Sequence, residues 1–147
     1  MAPRGAIVVD GSNVACEEQT DDGRPRIANI ELAIDALSRQ YEQVIVIVDA
    51  SLHHRIDRPT EMRRLLDEQL VRQAPAETPA DYFILEMADA LDADVLSNDR
   101  FGQYHRRWPW IEHRRIPFMI IDRRLIIYRP AQVESRMSQK EGKRAHS

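Results

Sequence analysis

Residues 6–14 read AIVVDGSNV: an apolar run meets Asp10, and Gly11, Ser12 and Asn13 follow before apolar residues resume. A β-branched run without polar alternation marks a strand buried on both faces, the habit of a parallel sheet. Asp10 is the first charge this strand delivers, and it stands at the tip. The small polar residues behind it open a loop or cap a helix. Loops at the carboxyl ends of parallel strands build the sites of open α/β sheets, so Asp10 falls where chemistry is done.

The same kind of run recurs along the chain. Residues 5–9, 44–48, 94–96 and 117–121 (GAIVV, VIVIV, DVL, PFMII) predict strands, with Val71–Gln73 a short further candidate. Between them Ile30, Ile34, Leu37 and Tyr41 step by four, three and four residues and so share one side of a helix. Phe83, Ile84, Met87, Ala88 and Leu91 do the same after Pro79, and Met62, Leu65 and Leu66 mark a weaker helix over Glu61–Leu70 behind Pro59. Strands alternating with helices predict an α/β three-layer sandwich with a mainly parallel central sheet. PFMIID and RLIIYR, separated by a polar turn around Asp122–Arg124, predict a C-terminal hairpin closing one sheet edge. One domain over residues 1–130 follows, with a polar, aperiodic tail over 131–147 expected to be disordered.

The composition agrees with one ordinary core: of 147 residues 43% are apolar and 31% charged, which excludes disordered and collagen-like classes. No apolar run approaches the roughly 18 residues of a membrane span, and no secretory leader pattern opens the chain, so a soluble cytoplasmic protein with no membrane partner is expected. The single cysteine, Cys16, cannot form a disulfide framework or a cysteine zinc site and reads as buried filler.

Asp10 has company. VIVIVD ends at Asp49, DVLSND ends at Asp99, and Asp81 sits in the first turn of the helix that begins in TPADYFIL. Each acid has an ordinary role open to it, as helix cap, strand-end residue, first-turn charge or turn residue. Four carboxylates converging on one sheet edge are another matter, because they repel one another and are held ionised together by a cation. Oxygen donors without histidine or cysteine point to Mg²⁺ or Mn²⁺, the usual apparatus of phosphodiester hydrolysis. Ser12, Asn13, Ser97 and Asn98 flank the acids and can orient a carboxylate or a bound water, or can simply form turns.

IVVDGSNVA, TPADYFIL and VLSNDRF, in this order and spacing, resemble the NYN-type nucleases of the PIN-like superfamily, and within them the branch of the regnase-type CCCH zinc-finger ribonucleases. The resemblance covers about residues 4 to 128 and lacks the zinc finger. It implies a PIN-like fold and a metal-dependent endoribonuclease acting on single-stranded or looped RNA. It further implies that Asp10, Asp81 and Asp99 are catalytic and metal-binding, with Asp49 a looser metal-binding match; Asn13, just beyond Asp10 near a helix start, is the candidate to assist them. Ala80 departs from the pattern, since the regnase branch often carries two adjacent acids where this chain has Ala80 and Asp81.

The net charge is −3, yet residues 100–115 hold five arginines and two histidines against Glu112 alone. Arg100, Arg106 and Arg107, with Arg55 and Arg58 after the second strand, are the candidate phosphate contacts, and Arg114 and Arg115 lie in the same basic segment. His53, His54, His105, Phe101, Tyr104, Trp108 and Trp110 are placed to stack on unpaired bases, although packing is the commoner use of the tryptophans. RNA is the partner this implies, with a second copy of the chain or an antitoxin-like inhibitor open as others. Two competing readings remain, a catalytically silent RNA-binding or scaffolding module and a metal-dependent phosphatase for small esters.

Overall fold

The computed structural model describes residues 4–129, so the expected 131–147 tail lies outside the described residues. The elements in order are β1 (Arg4–Asp10), α1 (Gly11–Glu17), α2 (Ile27–Ser38), β2 (Tyr41–Val48), α3 (Pro59–Asp67), β3 (Val71–Gln73), α4 (Ala80–Leu91), β4 (Asp94–Leu96), α5 (Ile111–Arg114), β5 (Arg115–Ile116), β6 (Phe118–Ile121) and β7 (Arg124–Ile127). Strands β1 to β5 form one parallel sheet in the order β3-β2-β1-β4-β5. The AIVV run belongs to the central strand, which explains why it is apolar on both faces.

Alternate residues of the central strands feed two cores. Ile7, Val9, Val46, Val48 and Leu96 pack with α1, α2 and α3, through Val14, Ile27, Ile30, Leu37, Met62 and Leu65. Val8, Ile45, Ile47 and Val95 pack on the other face with Ile84, Leu85 and Ala88 of α4 and with Trp108 and Ile111. The result is the expected three-layer sandwich.

Gly11 shows why the chain turns so sharply after Asp10. A Cβ there would stand 2.7 Å from Val48 Cγ1, 2.8 Å from Val46 Cγ1 and 2.9 Å from the Ile47 carbonyl oxygen. Only glycine lets α1 start this close to β2.

Two expectations are corrected. The helical spacing carries past Leu37 to Tyr41, but α2 stops at Ser38 and Tyr41 opens β2, buried, with its hydroxyl donating to Asp94 Oδ2 at 2.5 Å. The run 117–121 holds only strand β6, from Phe118, and a separate short strand, β5, precedes it; Pro117 divides the two because it has no N–H to extend the ladder. Arg115–Ile116 joins β4 at the sheet edge, and Phe118–Ile121 pairs with β7 in a separate two-stranded sheet. The hairpin therefore forms beyond the edge strand rather than as part of the main sheet. Its turn is Asp122–Arg123, both at positive φ (49° and 60°), the two-residue geometry that suits the twist of a hairpin.

Candidate active site

The site begins with two neighbouring strand ends. Val9 and Leu96 are partners in the β1–β4 register, so Asp10 and Ser97, the next residues, leave the sheet side by side. Asp10 is both the end of β1 and the cap of α1: its Oδ1 accepts the N–H of Asn13 at 3.3 Å. Its Oδ2 accepts the hydroxyl of the fully buried Ser97 at 2.8 Å. The same Ser97 oxygen accepts the N–H of Asp99 at 3.1 Å, and Asn13 Oδ1 accepts the N–H of Asn98 at 2.9 Å. Asp99 Oδ1 in turn accepts the N–H of Phe101 at 2.8 Å, closing a tight turn.

Burial pushes the carboxyl of Asp10 up to about 6, against the hydrogen bonds from Ser97 and Asn13, and the negative charges of Asp99 and Asp81 raise it further. Asp81, in the first turn of α4, thus reaches the same field although it is remote in sequence. The guanidinium of Arg115 donates to the Ser97 carbonyl at 3.0 Å. Burial first, then the neighbouring Arg100, lowers its pKa, while Asp99 opposes them. Acids and arginines therefore meet at the end of β4.

Of the four expected acids, Asp49 is the one whose charge does not act on Asp10. Asp49 turns to its own loop, accepting the N–H and hydroxyl of Ser51 at 3.0 and 2.6 Å and facing Arg55 at 3.8 Å. Burial works to raise its pKa, but the Ser51 and Ser12 bonds and Arg55 outweigh it and leave it below the usual carboxylate range. Ser12 binds the Asp49 backbone N–H at 3.0 Å, tying α1 to β2. Asn98 bonds through its side chain to the N–H and C=O of Phe118 at 2.9 Å each and to Glu17 at 3.1 Å, anchoring the hairpin.

The basic residues divide as well. Arg100 is exposed beside the acids and Arg106 is exposed in the same segment. Arg58 lines a hollow of about 590 Å³ with Arg26, Glu31, Ile120 and Arg123, between α2 and the hairpin. Arg114 pairs with Asp92 and lies 4.0 Å over the Trp110 ring. Arg107 stands over Tyr82 at 5.3 Å and over Trp108 at 4.8 Å. Phe101 and Trp108 are buried, which corrects them as base-stacking surfaces. Tyr82 is absent from the sequence-derived candidates; its adjacency to Asp81 is the signal that points to it.

Among the described residues no three His, Cys, Asp or Glu side chains close into a metal cage. Asp10, Asp81 and Asp99 supply only hard oxygen donors, the ligand type of Mg²⁺ and Mn²⁺.

The model of the Zc3h12a-like Ribonuclease NYN domain matches residues 3–139, and the chain belongs to that family. Among solved structures, the crystal structure of nuclear proteinaceous RNase P 2 (PRORP2) from A. thaliana is similar at TM-score 0.67 and 16% identity, covering 84% of this chain and 29% of that one. A second structure of Arabidopsis thaliana nuclear protein-only RNase P 2 is similar at TM-score 0.66 and 15% identity, with the same coverage. The chain thus spans under a third of the length of those proteins, and at this identity the likeness is one of fold. Comparison with curated proteins gives no match.

Proposed function

We propose that this domain is a metal-dependent endoribonuclease that hydrolyses phosphodiester bonds of single-stranded or looped RNA. The observation that carries the proposal is Asp10: a carboxylate raised to about 6 by burial and by the charges of Asp99 and Asp81, at the end of the central strand of a ribonuclease-family fold. A buried carboxylate with a raised pKa, lying in the field of two further acids at a sheet edge, points to a cation or catalytic site. Asp10, Asp81 and Asp99 would hold Mg²⁺ or Mn²⁺, which when bound polarises the phosphoryl group and makes a bound water acidic enough to attack. Ser97 and Asn13 fix the orientation of Asp10. Arg100 and Arg115 draw the RNA phosphate toward Asp99. A cytoplasmic location belongs to the same proposal; no helix of the described residues is long and apolar enough to cross a membrane.

Ala80 favours the second reading, a silent RNA-binding module, because it begins α4 where a further acid is frequent in the regnase pattern. Titration calorimetry with Mn²⁺ separates the two: saturable binding that is lost in Asp10→Asn supports the nuclease, and no binding at millimolar metal supports the silent module.

A further inference from the structure

Beside the acids lies a group of rings that the proposed hydrolysis does not use. Tyr104 ends the short turn Gly102–Tyr104 that follows Asp99, and Tyr82 follows Asp81 in α4. The Tyr82 and Tyr104 centroids are 6.0 Å apart at 61°, and Trp108 lies 5.4 Å from Tyr82 and 6.0 Å from Tyr104. Trp108 is 4% exposed and backs the group, whereas both tyrosines are partly open to solvent. Tyr82 adjoins Asp81 and Tyr104 lies in the turn that follows Asp99, so the paired rings border the acidic edge, and the charges of Asp81 and Asp99 both act on the Tyr104 hydroxyl. Arg107 sits over Tyr82 and Trp108, exposed and without a carboxylate among its described contacts.

We propose that Tyr104, braced by Tyr82 and Trp108, is the platform on which an unpaired RNA base next to the scissile phosphate stacks, with Arg107 meeting the phosphate of that nucleotide. The inference rests on the ribonuclease reading and deepens it, since it makes an unstacked nucleotide beside the cut a requirement of the substrate. A base inside a duplex has both faces occupied and cannot reach such a ring, whereas a loop or single strand offers a free face. Stacking also accepts any base, so the platform selects RNA structure rather than sequence.

The probe is a short single-stranded RNA carrying 2-aminopurine at successive positions, bound in EDTA so that nothing is cleaved. Wild-type protein is expected to quench the fluorophore at one position and not in the matching duplex. Tyr104→Leu, which keeps bulk but removes the ring, loses the quenching and binds roughly tenfold more weakly, and Tyr104→Phe restores both. Circular dichroism of the three proteins checks that the fold is equal. Binding without quenching at any position, or equal quenching by Tyr104→Leu, overturns the platform while leaving the ribonuclease reading intact. Absence of RNA binding together with absence of cleavage in Mg²⁺ or Mn²⁺ overturns both.

Discussion

The hydroxyl of Ser97 donates to Oδ2 of Asp10 across 2.8 Å and accepts the N–H of Asp99, so one buried side chain couples two acids that lie 89 positions apart in the sequence. Ser97→Ala removes a bond that lowers the Asp10 pKa and leaves the Asp99 N–H without its partner. Cleavage is expected to fall about 10- to 100-fold, the usual cost of losing a residue that orients a metal-binding carboxylate. The acid limb of the pH–rate profile should also move to higher pH, which a loss of packing alone would not produce.

Asp10 also sets a pH dependence of stability. Its pKa is raised in the fold from an ordinary value of 3.8 to about 6, so the protonated form is the one the fold favours. The stability this gives is fully present below the unfolded value and is lost as pH rises through the folded one. Asp10→Asn escapes the loss, and in metal-free buffer at pH 7 it should be more stable than wild type by about 1–3 kcal/mol. Urea unfolding at pH 4 and pH 7 checks this: the gain is expected at the higher pH and absent at the lower.

Metal should reverse that order. Added Mn²⁺ stabilises whatever state binds it, so the wild-type melting temperature is expected to rise with metal while that of Asp10→Asn stays flat. Because the ligand must be ionised, the apparent affinity should drop about tenfold between pH 7 and pH 5, as protons compete at the carboxylate.

Arg100 and Arg114 should behave differently although both are basic-segment arginines. Arg100→Ala is expected to weaken RNA binding and reduce the slope of log affinity against log salt by about 1. Arg114→Ala should leave that slope unchanged, because its guanidinium is engaged with Asp92 and the Trp110 ring.

Gly11→Ala is expected to destabilise the protein by about 1–3 kcal/mol, since the new methyl must displace β2 side chains and backbone. Thermal unfolding measures it.

Much of this was legible in the residues. AIVV, VIVIV and DVL carry their burial in composition, and the acids at their ends fall at one sheet edge once the strands are parallel. Tyr41 was misleading because a buried aromatic fits a helix face and a strand start equally well, and Arg39 and Gln40 give no strong stop signal. Asp49 could not be separated from the other acids by position alone; only its Ser51 bonds show that it is occupied in its own turn. The Ser97–Asp10 bond and the Tyr82–Tyr104–Trp108 group join residues remote in sequence, and spacing does not encode such contacts.

The central claim is tested most directly by incubating purified protein with labelled single-stranded RNA, with EDTA, Mg²⁺ or Mn²⁺, beside Asp10→Asn. The account predicts internal cleavage with metal only, abolished by the substitution while RNA binding and fold persist. Equal cleavage by Asp10→Asn, or no cleavage by wild type with either metal, contradicts it.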